Sequence, residues 1–137
     1  MIRREQFMMN YNGIDKKNSD FKDVLKPLMR IRGVKNCVLA TMDGMPVGEI
    51  DQEGVIISAT SAAVLGAITE MVKNINFGIA EKLIVETDFG KIIIEEIGHN
   101  HAIVVLTDDS VNIGLIRLTL KKAAENLRNL IQPVASG

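Results

Sequence analysis

At 137 residues the chain is one domain's worth of sequence, long enough to bury roughly two thirds of its unfolded surface, and 47% hydrophobic with 24% charged residues is a globular composition. A formal net charge of -1 leaves no general attraction to nucleic acid or to an anionic membrane, and 4% aromatics without Trp leave no stacking platform for single strands. The lone Cys37 excludes an intramolecular disulfide and a thiolate metal cage. No apolar run approaches the ~20 residues of a spanning helix, and the N-terminal MIRREQFMMN lacks a signal peptide's apolar centre, so a cytoplasmic protein without membrane insertion is expected.

Residues 1–18 show no clean period and are expected to form a mobile tail. Phe21, Val24, Leu25 and Leu28 then recur at i, i+3, i+4, i+7, which predicts a helix from Asp20 to Arg32, stopped at Gly33 and disturbed by Pro27. Asn36 to Met42 reads as a strand apolar on both faces, closed by an Asp43-Gly44 turn. The return strand, Met45 to Ile50, contains Pro46 and Gly48 and is placed at a sheet edge. Asp51 to Ile57 reads as a connection.

A second helix is predicted over Ser58 to Phe77, capped by Ser58, Thr60 and Ser61. Its bulky stripe of Val64, Ile68, Met71, Val72 and Ile75 is expected to cover the sheet. A stripe of small residues, Ala59, Ala63, Gly66 and Ala67, faces elsewhere and would let a second backbone approach; with Glu70 it is the expected helical half of a dimer interface. Gly66 is the telling residue, because Gly inside an exposed helix costs about 1 kcal/mol relative to Ala without local compensation.

The stretch from Glu81 to Asp109 is read as a meander of three strands, Glu81 to Thr87, Lys91 to Ile97 and Ala102 to Thr107, the last buried on both faces. A final helix over Val111 to Ile131 presents Ile113, Ile116, Leu120, Ala124, Leu127 and Ile131 on one side. Leu115 and Leu118 fall outside that stripe and are assigned first to contact with the first helix, second to a partner. The expected fold is an α+β sandwich of the α/β class, αββαβββα. Its five-stranded antiparallel sheet has the order 2-1-5-4-3, with one helix on one face and two on the other.

The chemistry-bearing residues do not assemble into a site. Neither glycine spacing nor Gly90-Lys91 makes a phosphate loop. His99 and His101 fall in a predicted hairpin loop, where a solvated turn is favoured over a metal site needing three or four convergent ligands. Cys37 is read as a buried structural thiol on a central strand. Arg30, Arg32 and Lys35, with Lys121, Lys122 and Arg128, are read first as solvated helix faces and second as a surface for an acidic partner. The strand from Glu81 to Thr87 is terminal in the sheet, and Leu83, Ile84 and Val85 make it an apolar free edge that invites pairing. No catalytic residue, metal or cofactor is expected.

Two segments resemble the Roadblock / dynein light chain family in its prokaryotic form: Gly33 to Glu49 (GVKNCVLATMDGMPVGE), with its Asp-Gly turn, and Ala102 to Leu127 (AIVVLTDDSVNIGLIRLTLKKAAENL), with its Asp-containing turn and Gly114-Leu115 helix start. The similarity covers about Phe21 to Leu130 and implies a Roadblock-like domain over residues 19–132, followed by a tail at 133–137. It further implies a homodimer, or a heterodimer with another Roadblock chain. In that dimer the second helices pack together and the third strands pair, through Ala59, Ala63, Gly66, Ala67, Glu70, Leu83, Ile84 and Val85. The implied function is non-catalytic: binding and regulating a small Ras-like GTPase, or alternatively a light-chain-type scaffold without effect on nucleotide turnover. A small metal- or ligand-dependent enzyme using the His99/His101 loop is the alternative from a different class.

Overall fold

The computed structural model describes residues 21–48 and 51–131. Their order is α1 (21–29), β1 (Val34–Thr41), α2 (Gln52–Asn74), β2 (Lys82–Thr87), β3 (Gly90–Ile97), β4 (His101–Thr107) and α3 (Ile113–Ile131). The tails expected at 1–18 and 133–137, and the domain boundaries at 19 and 132, lie outside those residues.

The sheet is antiparallel with four strands rather than five, in the order β1-β4-β3-β2 instead of 2-1-5-4-3. The return strand expected at Met45 to Ile50 does not join as a ladder. Its described part makes one bridge, Ala40 to Pro46, flanked by Thr41 N–H to the Met45 carbonyl at 2.8 Å and Val47 N–H to the Leu39 carbonyl at 2.9 Å. Pro46 has no N–H to extend the ladder, and Gly48 at φ +90 turns the chain. The turn before it also differs, since Met42-Asp43-Gly44 forms a three-residue loop with Gly44 at φ +87. The two strands apolar on both faces are neighbours, β1 pairing with β4 from Val34↔Thr107 to Thr41↔His101. Without a fifth strand, β1 is an outer strand of the sheet, and Cys37 does not stand on a central one.

Alternation divides the strand side chains between two cores. Leu39, Ile93, Ile97, Ile103 and Val105 join Phe21, Val24 and Leu28 of α1 and Ile116, Leu120, Ala123, Ala124 and Leu127 of α3. Val38, Ile94, Ala102 and Val104 face the other way and meet α2 through Leu65. Each fully buried Leu or Ile contributes about 1.5–3 kcal/mol, so most of the hydrophobic stabilisation sits on the α1/α3 side. Leu115 and Leu118 are not part of that core; both project from α3 into solvent.

Helix α2 starts six residues before the expected Ser58 and ends before the expected Phe77. Asp51 caps it, its Oδ1 accepting from the Gly54 N–H at 2.8 Å. Ser58, Thr60 and Ser61 therefore lie inside the helix and are not caps. The Ser58 hydroxyl donates to the Gly54 carbonyl at 2.8 Å, and that of Thr60 to the Ile56 carbonyl at 2.7 Å. The face α2 turns to the sheet is Gly54, Ser58, Ser61 and Leu65, with Ile57 packed beside them. The bulky stripe expected there is displaced: Val64, Met71 and Ile75 are exposed. Small side chains at 54, 58 and 61 let the helix lie close over β1, which a stripe of Val and Met would hold away.

Candidate functional site

What α2 leaves uncovered is its most distinctive property. The helix is 23 residues long and, contrary to the sequence expectation, long and apolar enough to cross a membrane by length and composition alone; only 17% of its apolar window is buried. Ala59, Ala63, Gly66, Ala67 and Glu70 are all exposed on the side away from the sheet. Val55 and Ile56, 63% exposed at the latter, extend this surface by a turn. The reading of 51–57 as a connection leaves both residues outside the predicted helix. The signal was present in Asp51, an N-cap type followed by Val55-Ile56-Ile57 without a break. A Cβ on Gly66 would meet nothing within 4 Å, so the fold of the single chain does not require glycine there.

Strand β2 supplies the second uncovered surface. It pairs with β3 from Lys82↔Glu95 to Thr87↔Gly90 and, among the described residues, has no strand on its other side. Of the three edge residues expected to be available, Ile84 and Val85 are exposed, whereas Leu83 packs against the core beneath α2. Below this edge α2 runs into a connection that carries two further exposed apolar residues, Phe77 and Ile79, the latter 88% exposed. Asn76 at φ +53 and Gly78 at φ +89 shape that connection.

The connection borders a cleft of about 880 Å³, reached by Thr69, Lys73 and Asn76 on one side and Glu81, Glu95, His99 and Arg128 on the other. Charges of both signs line it. Glu95 is the perturbed group: burial raises its carboxyl above the ordinary range, opposed by the positive charges of Lys82 and Arg128. Its Oε1 stands 4.0 Å from Lys82 Nζ, and its buried Oε2 accepts no hydrogen bond.

His99 and His101 are separated by the fold. His99 stays in the turn, but His101 is the first residue of β4, paired with Ile97 and Thr41, and not in a loop as expected. Among the described residues no three His, Cys, Asp or Glu side chains are grouped to hold a metal. Cys37 is half-buried beside the α1/α3 core, and burial pushes its thiol up to about 12. A thiol held protonated at neutral pH is a poor nucleophile.

The model of the Roadblock/LC7 domain matches residues 20–107, well over half of the sequence. The chain belongs to the Roadblock/LC7 family. An uncharacterized protein of Methanocaldococcus jannaschii is 34% identical over 110 residues, spanning 77% of this Roadblock chain and 94% of the relative. A second from the same organism is 33% identical over the same shares of both chains. Among solved structures the fold is similar to Myxococcus xanthus MglB, with TM-score 0.73 and 18% identity over 100% of this chain and 97% of that one. The Roadblock/LC7 domain from Streptomyces avermitilis aligns with TM-score 0.69 and 16% identity over 77% and 92%. The family match ends at the last residue of β4, and the structural likeness to MglB extends over α3.

Proposed function

We propose that this Roadblock chain is a non-catalytic dimeric module that binds and regulates a small Ras-like GTPase. The observation that carries the reading is the open apolar face of α2, with the free edge of β2 as a second uncovered surface of the same chain. An exposed apolar surface of this extent on a folded chain is the mark of an interface, and Ser58, Ser61 and Leu65 already commit the opposite side of α2 to the sheet. Protein, not lipid, is the cover that an unpaired strand edge on the same chain also demands. The GTPase as partner rests on family membership and on the likeness to MglB.

The strand pairing proposed for the dimer has a definite register. Thr87 and Gly90 flank the two-residue hairpin loop as a paired position, so N–H and C=O groups of residues 83, 85 and 87 point to β3 and those of Lys82, Ile84 and Glu86 point to the free edge. Two antiparallel copies centred on Ile84 place all three against each other. Lys82 then lies opposite the partner's Glu86, an attractive cross-strand pair. Continuing the same register brings Ile79 opposite the partner's Phe89, which is 79% exposed in the single chain.

GTP turnover by a small GTPase from the same cell, measured with and without the chain, tests the function. The proposal expects a complex and an altered turnover rate, both diminished by Gly66→Leu. A complex with unaltered turnover would favour the scaffold reading, and no complex at all would overturn the GTPase assignment.

A further inference from the structure

The net charge of -1 conceals a separation across the sheet. Helix α1, its exit and the start of β1 carry Lys22, Lys26, Arg30, Arg32 and Lys35, and α3 carries Arg117, Lys121, Lys122 and Arg128; all nine are exposed. Only Asp23, paired with Lys26 at 2.8 Å, and Glu125 oppose them in residues 21–35 and 113–131, nine against two, a surplus of seven positive charges. Residues 36–48 and 51–112 hold Lys73, Lys82 and Lys91 against eleven carboxylates, a deficit of eight. Because α1 and α3 pack into one core on the same sheet face, most of these cations form one layer away from α2, while Arg128 borders the cleft it shares with Thr69 and Lys73 of α2 and with Glu95. Asp108 borders it at the Arg32 and Lys35 end and Glu95 faces Arg128, so Arg117, Lys121 and Lys122 of α3 are its least opposed part.

That layer also exposes apolar side chains. Leu115 and Leu118 are 44% and 55% exposed on the outer side of α3, and with Lys122 they follow one line at i, i+3, i+7. Met29 is exposed on α1.

We propose that the α1/α3 layer docks on an anionic lipid bilayer, with Leu115 and Leu118 entering the headgroup region and the surrounding lysines and arginines held by acidic headgroups. The cations are strung along a 19-residue helix, about 28 Å, and its neighbour, and do not converge on a point. Charge distributed in this way suits an extended anion and not a discrete ligand. A nucleic acid backbone would meet the charge but offers nothing to two leucines, and the layer's Phe21 is buried in the core instead of being available to stack. A lipid surface satisfies both features, electrostatics with each nearby Lys or Arg and burial of apolar side chains. The acidic remainder of the molecule, repelled by the same surface, would set the orientation. Neither the free β2 edge nor the open face of α2 is used, so docking is independent of the proposed dimer.

Co-sedimentation of the full chain with vesicles of phosphatidylcholine alone, and of phosphatidylcholine and phosphatidylglycerol in equal parts, tests this at low and high salt. Binding is expected only to the anionic vesicles. The pair Lys121→Glu with Lys122→Glu should weaken it at least about tenfold, while Lys73→Glu with Lys91→Glu, the same change in net charge on the acidic side, should leave most of it. Leu115→Ser with Leu118→Ser should weaken the fraction that survives high salt. No enrichment on anionic vesicles at low salt, or equal losses from both charge-reversed pairs, would overturn the proposal. So would tighter binding to duplex DNA that ignores the leucine changes, which would assign the layer to nucleic acid instead.

Discussion

Gly90 lies so close to the end of β4 that a Cβ placed on it would stand 1.8 Å from the carbonyl oxygen of Thr107. The contact joins the tip of the β2–β3 hairpin to the strand that both cores share, and it holds Gly90 at φ +151, a conformation side chains rarely adopt. Gly90→Ala is therefore expected to cost at least about 2 kcal/mol through strain and displacement of β3. Urea denaturation measures it; a loss under about 0.5 kcal/mol would mean that the hairpin does not rest on Thr107.

The start of α2 is tested by comparing two possible caps. Asp51→Ala should destabilise by about 1 kcal/mol, because the Gly54 N–H loses its acceptor. Ser58→Ala should cost less, since its hydroxyl only adds a second bond to a carbonyl within the helix. The reverse ranking in thermal unfolding would return the helix start to Ser58.

The perturbed carboxyl gives a pH dependence with a definite sign. Burial raises Glu95 above its unfolded value, so the folded state holds that proton more tightly. Its contribution is present below the ordinary glutamate range and is lost as pH rises through the raised folded value. Glu95→Gln should therefore gain in melting temperature relative to the parent on going from mildly acidic to neutral pH. A difference that is flat across that window would mean that Lys82 and Arg128 cancel the burial.

Strand pairing in the dimer calls for a proline where the N–H faces outward. Ile84 meets that condition, while the N–H of Val85 is directed at β3. Ile84→Pro should weaken association at least about tenfold while the chain remains folded by circular dichroism. Unchanged association would place the interface away from the β2 edge.

Much of this architecture was legible in the sequence because burial leaves periods behind. Ile116, Leu120, Ala124 and Leu127 mark α3, and the unbroken AIVVL marks β4 as covered on both faces. The absence of the fifth strand was less legible: the Asp43-Gly44 turn points to a return strand at Met45 to Ile50, and Pro46 and Gly48, which read as marks of an edge strand, keep its described part from joining a ladder at all. The orientation of α2 failed for a different reason. Bulk does not decide burial here, since the sheet accepts the small side chains of Gly54, Ser58 and Ser61 and leaves Val64, Met71 and Ile75 outside. Gly66, without local compensation, marks the small stripe from Ala59 to Ala67 that the fold leaves exposed, and Leu83 turns inward because an edge strand still has one face over the core. Net charge was the least informative number, since -1 is the sum of a basic helical layer and an acidic remainder.

The most direct measurement of the central claim, that the open face of α2 is a self-association surface, is sedimentation of the purified chain beside Gly66→Leu. A 15.0 kDa chain should sediment as a dimer at tens of micromolar, well above a ~1 μM dissociation constant. Because a Cβ at position 66 meets nothing within 4 Å in the single chain, and the position is exposed, Gly66→Leu should remain folded and sediment as a monomer. A parent chain that stays monomeric at that concentration, or a Gly66→Leu dimer as tight as the parent's, would contradict the account.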